Sequence, residues 1–322
     1  MIGSGKAPGE ALSLAARLEE LLRGPEPETE APALGDRRRE TLAPALGDRR
    51  PETEAPALGE LLTEADTAEA GEHQAVVRLV AGIIASGASA TGANQTSAFR
   101  LLWRGLAGDF HDKAPGLTAD VMVTLGDDSD WIVRETAAAL AGDLLARRFD
   151  SFYPTALAWT GSESENVRRM AALAVMYTSR KRKEAWASRI LDVLERLLPD
   201  PAVYVRKNLG PFAIGSALLM RHPAQTLERL RRWALSPDER VLWNVAMAFS
   251  AAPAKAHLET ALDLLGPLSG HPSRLVWRAA ASSLRFLGRH DPARVIPLLE
   301  EWREDPARAQ AAETALGYLK KG

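Results

Sequence analysis

Asp130-Trp-Ile-Val-Arg-Glu-Thr-Ala-Ala-Ala-Leu-Ala-Gly142 sets a pattern that the chain repeats. An acidic or prolyl turn precedes a valine with a polar or basic neighbour, and a run of small apolar residues follows. Glu165-Asn-Val-Arg-Arg-Met-Ala-Ala-Leu-Ala174, Asp200-Pro-Ala-Val-Tyr-Val-Arg-Lys-Asn-Leu-Gly210, Glu239-Arg-Val-Leu-Trp-Asn-Val-Ala-Met-Ala248 and Pro272-Ser-Arg-Leu-Val-Trp-Arg-Ala-Ala-Ala281 are further copies. Asp305-Pro-Ala-Arg-Ala-Gln-Ala-Ala-Glu-Thr-Ala315 is a weaker closing one. The anchoring valines Val133, Val167, Val205, Val241 and Val276 stand 34, 38, 36 and 35 residues apart. That period belongs to two-helix repeats that stack into a solenoid. Each pair leaves an apolar edge that only its neighbour covers, and the small residues after each valine let helices approach closely. Asp127, Asp200 and Asp238 are expected to cap the helices that follow them.

The segments between copies supply the other helix of each pair, with helices expected over Lys183–Leu198, Pro223–Leu235, Ala256–Leu268 and Asp291–Trp302. Segments 72–86 and 96–108 read as an earlier, degenerate pair. No sustained two-residue alternation predicts a strand. The expected fold is therefore all-α: a right-handed α-solenoid of about six HEAT-like repeats over 61–322, C-shaped with a concave groove.

The N-terminal part, 1–60, reads differently. Leucines at helical spacing predict a short amphipathic helix over 9–23. A 12-residue unit then follows in tandem: it begins at Pro27, returns over Arg39–Arg50 and again from Pro51 to Gly59. Proline removes a backbone donor and glycine breaks the helical period. Segment 24–58 is thus expected to be flexible and of low complexity, with helix resuming near Leu61. It reads either as a partner-binding tail or as a duplication with no specific role.

Composition bounds the function. Hydrophobic residues make up 46% of the 322 residues and charged residues 25%, ordinary for a soluble globular chain. No apolar run is long enough to span a membrane, and Met1 to Lys6 do not open a secretory signal. The absence of cysteine excludes disulfides, thiolate zinc sites and cysteine nucleophiles, and fits a cytoplasmic protein. The net charge of −2 hides an asymmetry. Residues 1–70 hold 8 basic and 15 acidic residues, which leaves 32 and 27 of the totals of 40 and 42 for the rest, a net of +5. Such a balance permits a nucleic-acid partner.

In such solenoids the second helix of each pair lines the concave face. The two positions after each anchor valine read Arg134-Glu135, Arg168-Arg169, Arg206-Lys207, Leu242-Trp243 and Trp277-Arg278. Basic groups spaced one repeat apart, roughly 10 Å, suit a phosphate backbone. The competing reading makes the arginine of Val-Arg a structural partner of the preceding turn's aspartate. Arg180, Lys181, Arg182 and Lys183 add a basic turn. Trp131 and Glu135, four apart, share one helix face. A carboxylate beside an indole can stabilise a developing positive charge, whereas the structural alternative is a core tryptophan and a glutamate complementing the helix dipole. The histidines lack metal-ligand spacing, so no metal or other cofactor is expected.

Asn166-Val-Arg-Arg-Met-Ala171, Tyr204-Val-Arg-Lys-Asn-Leu-Gly210, and His222-Pro followed by Leu230-Arg-Arg-Trp233 resemble the bacterial HEAT-like alkylpurine DNA glycosylases of the AlkC/AlkD type, across roughly 95–320. The resemblance implies a base-excision-repair hydrolase. Trp131 and Glu135 would be catalytic, stabilising the cationic sugar as an alkylated base departs. Arg168 or Arg169 would contact the DNA backbone near the lesion, with Arg206, Lys207, Phe212, Trp243 and Arg278 as further DNA-binding residues. Where the AlkD type carries a further tryptophan, this chain has Pro211, with Phe212 adjacent. The implied partner is double-stranded DNA containing alkylated bases, bound by a monomer. The alternative is a non-catalytic scaffold with a protein partner on its concave face.

Overall fold

The computed structural model describes residues 12–23, 51–88, 90 and 95–319, and every regular element among them is helical. Two compact units divide at residue 140.

In the first unit, α1 (Leu14–Arg23), α2 (Pro51–Asp66), α3 (Ala70–Ala88), α4 (Ser97–Leu106), α5 (Phe110–Lys113) and α6 (Pro115–Gly126) precede the start of α7 (Trp131–Arg147), which continues past the boundary. Helices α1, α2 and α6 pack around α3, whose Val76, Val77, Val80 and Ile84 are buried at helical spacing. The third 12-residue copy lies in α2, so helix begins at Pro51, ten residues before the expected Leu61. Burial explains the difference: Leu58 of that copy, with Leu62 and Ala65 just beyond it, gives α2 an apolar face. Proline is also tolerated at a helix start. The first two copies lie outside the described residues.

Two side chains tie these helices together. Glu72 accepts from Leu14 N at 3.1 Å. His73 bonds Ala65 O at 2.9 Å through Nδ1 and Asp120 Oδ2 at 3.0 Å through Nε2. Burial acts to lower the His73 pKa, but the Asp120 and Ala65 hydrogen bonds and the nearby carboxylates outweigh it and raise the imidazole above its ordinary 6.5. A raised folded-state pKa gives stability that is complete below 6.5 and is lost as pH rises through the folded value. Urea midpoints of wild type and His73→Gln should therefore differ most near pH 5.5 and converge by about pH 8.5. A difference that stayed constant across this range would remove the protonated imidazole from the account.

The second unit has two helical layers. First-layer helices are α8 (Phe149–Ala158), α10 (Glu184–Leu197), α13 (Pro223–Trp233), α15 (Leu258–Ser269) and α17 (Pro292–Arg303). Second-layer helices are α9 (Glu165–Thr178), the composite of α11 (Val203–Asn208), a π-helix (Leu209–Leu218) and α12 (Leu219–Arg221), then α14 (Glu239–Ala248), α16 (Arg274–His290) and α18 (Ala309–Leu319). Each second-layer helix packs on the next, the nearest-neighbour stacking of a helical-repeat solenoid. Val167, Val205, Val241 and Val276 are buried here, as Val133 is in the first unit.

Capping follows the expected turns only in part. Asp238 accepts from Arg240 N at 2.7 Å. Asp200 closes the turn before α11 through Ala202 N, without capping the helix. Asp127 ends α6, and Asp130 takes the capping role for α7 through Ile132 N at 2.9 Å.

Proline explains the π-helix. Pro211 has no N–H, and its ring crowds the carbonyl four residues back, so the backbone shifts to a wider register. Asn208 Nδ2 and Ser216 Oγ bond the carbonyls of Tyr204 and Pro211, each at 2.8 Å. This segment lies against α14 with almost no gap: a Cβ on Gly210 would come within 2.7 Å of Asn244 O, and one on Gly215 within 2.4 Å of Ala248 O. Asn244, fully buried, accepts from Gly210 N at 2.9 Å and donates to Leu198 O and Arg240 O at 3.0 and 3.1 Å. Asn244→Leu would orphan Gly210 N–H and Leu198 C=O, at a cost of about 3 kcal/mol. The expected readout is a lower urea midpoint with an unchanged m-value; a loss under about 1 kcal/mol would contradict this bridge.

Candidate nucleic-acid interface

The start of α7 is shaped by its own turn. Asp130 N donates to Asp128 Oδ1 at 2.7 Å, and Arg134 Nη1 donates to Asp128 O and Ser129 O at 2.7 and 2.8 Å. The arginine after the anchor valine therefore clamps the turn before it. Trp131 is 64% exposed, unlike a core tryptophan, and the half-buried Glu135 lies one helical turn on.

The clamp recurs in the second unit. Ser164 Oγ caps α9 by accepting from Asn166 N and Val167 N. Arg168 Nη1 donates to Ser162 O and Glu163 O at 2.8 and 2.9 Å, the same offsets as Arg134. Its Nε and Nη2 donate to Asp200 at 2.6 and 3.2 Å, across to the next repeat. These Asp200 bonds raise the Arg168 pKa against the opposing effect of burial. Arg168 is thus engaged within the fold at every guanidinium nitrogen, although its carboxylate partner stands in the next repeat's turn rather than in the preceding one.

The other second-layer cations sit differently. Arg169 is buried with its guanidinium 4.8 Å from the Tyr204 ring, and Arg206 lies 5.2 Å from the Trp243 ring. Lys207 and Arg278 are exposed, and Phe212 on the π-helix is 58% exposed. Trp243, Met247, Arg274, Leu275 and Arg278 line a shallow groove of about 510 Å³. The repeat alignment missed Arg274, because it precedes the anchor valine; its signal is the four-residue spacing from Arg278, which puts both on one helix face. Tyr204 also carries a signal, standing directly before Val205.

Apart from Arg168, which Asp200 neutralises, several second-layer cations differ from those of the first layer. In the first layer, Arg189 pairs with Asp150, Arg229 with Asp192 and Glu195, Arg232 with Glu195, and Arg294 with Glu259, at 2.5–2.8 Å and each across neighbouring repeats. Arg206, Lys207, Arg274 and Arg278 form no ion pair among the described residues. The second layer thus keeps cationic and aromatic groups available to an anionic, π-stacking partner. No group of acidic and histidine side chains among the described residues could hold a metal ion. No described helix is long and apolar enough to cross a membrane.

The architecture places the chain among helical-repeat proteins. Residues 118–218 match the family model of the DNA alkylation repair enzymes, the family that the repeat copies resemble. This stretch, under a third of the chain, contains Trp131, Glu135, Arg168, Arg169, Arg206, Lys207 and Phe212, and leaves Trp243 and Arg278 outside. No curated protein matches the chain. Among solved structures, an engineered protein is similar at 18% identity, over 84% of this chain and 76% of that one, with a TM-score of 0.31. A designed armadillo repeat protein in complex with the peptide (KR)4 is similar at 14%, over 81% and 98%, with a TM-score of 0.28. The karyopherin Kap121p, bound to the extreme C-terminus of the protein phosphatase Cdc14p, is similar at 15%, over 94% of this chain and 37% of its own length, with a TM-score of 0.46.

Proposed function

We propose that this protein binds double-stranded DNA and excises cationic N3- or N7-alkylated purines as a DNA glycosylase. The observation that carries the reading is the exposed Trp131 with Glu135 one turn on, inside the segment that matches the DNA alkylation repair enzymes. The second-layer cations without carboxylate partners support DNA as the ligand. The reading takes residues 61–322 as about six right-handed HEAT-like pairs with a concave DNA-facing side, acting as a monomer.

The chemistry is undemanding in one respect. An alkylated purine already carries a positive charge, so it needs no protonation to leave. The C1′–N9 bond breaks with its electron pair going to the base, which becomes neutral. The sugar becomes oxocarbenium-like, water adds at C1′, and its proton passes to solvent. Glu135 supplies negative charge beside the developing cation and orients the water, while Trp131 packs against the sugar. Lys207, Arg206 and Arg278 take phosphates; Phe212 and Trp243 offer stacking faces. Of the two neighbouring arginines, Arg168 serves the fold, since it holds Asp200 and the turn.

The test is release of 7-methylguanine from alkylated duplex DNA. Release by wild type, lost in Glu135→Gln, is the expected result. Salt-sensitive DNA affinity without release would leave a DNA-binding protein that does not excise bases. Neither release nor affinity would point to a scaffold with a protein partner on its second-layer face.

A further inference from the structure

Arg180, Lys181, Arg182 and Lys183 form one exposed turn between α9 and α10. Two of them rest on aromatic rings: the Arg180 guanidinium is 4.6 Å from the Tyr177 centroid, and the Lys183 ammonium 4.2 Å from that of Trp186. Arg182 has φ 52° and ψ 30°, the one non-glycine residue with positive φ among those described. This left-handed conformation disfavours a side chain, and glycine or asparagine is its usual occupant. Arg221 approaches from α12, with Nη1 donating to Met176 O at 3.2 Å and Ser179 Oγ at 2.7 Å. Burial lowers the Arg221 pKa, and repulsion from Arg180 and Arg182 lowers it further, so three guanidinium groups crowd one place.

No carboxylate answers them. Arg180, Lys181, Arg182, Lys183 and Arg221 form no ion pair among the described residues. Glu184, next in the chain, is engaged by His222 at 3.1 Å and by Gln225. In the first layer, by contrast, Asp150, Asp192, Glu195 and Glu259 neutralise the arginines of the next repeat. Like charges gathered without a counter-charge are unfavourable, and an anion from outside would relieve them.

We propose that this turn, together with Arg221, is a second phosphodiester-binding site that takes the backbone of duplex DNA at the C-terminal end of α9. It begins about 14 Å along α9 from Arg169, since nine residues of that helix follow the arginine. The inference rests on the DNA-binding reading above. The aromatic rings under Arg180 and Lys183 hold two cations in place before a phosphate arrives, and Arg182 keeps a charged side chain where glycine would fold with less strain.

The experiment is the salt dependence of affinity for an undamaged duplex, with wild type beside Arg180→Gln/Arg182→Gly and Arg231→Gln/Arg232→Gln. Each lost phosphate contact lowers the slope of log K against log salt by about 0.9. The expected result is a slope smaller by about 2 in the turn variant, with affinity roughly 60-fold weaker near 0.1 M salt. The first-layer variant, which removes equal charge elsewhere, should keep the wild-type slope. The turn variant should melt no lower than wild type, because Arg182→Gly removes the left-handed strain. Wild-type binding with an unchanged slope in the turn variant would overturn the second site and leave the DNA-binding reading standing, as would an equal drop in both variants. No binding by wild type at low salt would overturn both.

Discussion

Glu135→Gln is expected to slow the release of 7-methylguanine by about 10²- to 10³-fold, the usual cost of removing one preorganised electrostatic group. The substitution keeps size and hydrogen-bonding reach and removes only the charge. Glu135 is half-buried one turn into α7, where water screens a carboxylate less than in bulk. Its Coulomb attraction is needed most when the sugar carries positive charge, so the loss should fall on kcat, with KM and DNA affinity near wild type. Single-turnover release, with affinity measured on the same preparation, checks both halves. Release at the wild-type rate would strip Glu135 of its role, and an equal fall in affinity would make it a binding residue.

Asp200→Ala is expected to destabilise the second unit by about 3–5 kcal/mol, the cost of leaving one member of a buried ion pair without its partner. Asp200 has a side chain only 4% exposed and accepts from Arg168 twice and from Ala202 N once. Its loss would leave the Arg168 charge in a place that water reaches poorly. Arg168→Met should cost less, since its methylenes keep some packing, although Asp200 then loses two donors. The double variant Arg168→Met/Asp200→Ala should cost less than the sum of the singles. Urea unfolding reads all three. Their DNA affinity, measured well below the unfolding transition, is expected to match wild type. A stable Asp200→Ala variant with weakened DNA binding would move Arg168 from the fold to the interface.

The repeat was legible because burial and period coincide. The anchor valines recur at one-repeat intervals, and every one of them is buried. Other features were illegible for definite reasons. Pro211 stood out in the sequence only as a missing aromatic residue, whereas its physical effect is to widen the helical register over Leu209–Leu218. The third 12-residue copy read as low-complexity, yet it lies in α2, where its Leu58 and the following Leu62 are buried. Arg168 and Arg169 are adjacent and chemically identical. What separates them is Asp200, 32 residues on, and the Tyr204 ring, neither of which can be assigned from local pattern. Local pattern allowed Trp131 to be a core residue, and its exposure argues against that packing reading.

The bonds between repeats also bear on how the chain folds. Arg168 reaches Asp200 across 32 residues, Gly210 reaches Asn244 across 34, Arg294 reaches Glu259 across 35, and Ser283 reaches Ala246 across 37. Each of these ties spans about one repeat and joins neighbouring pairs. Low contact order of this kind favours rapid folding that begins at any pair and spreads to its neighbours. During synthesis the second unit can be completed in the order of its sequence, each pair closing as the next one emerges.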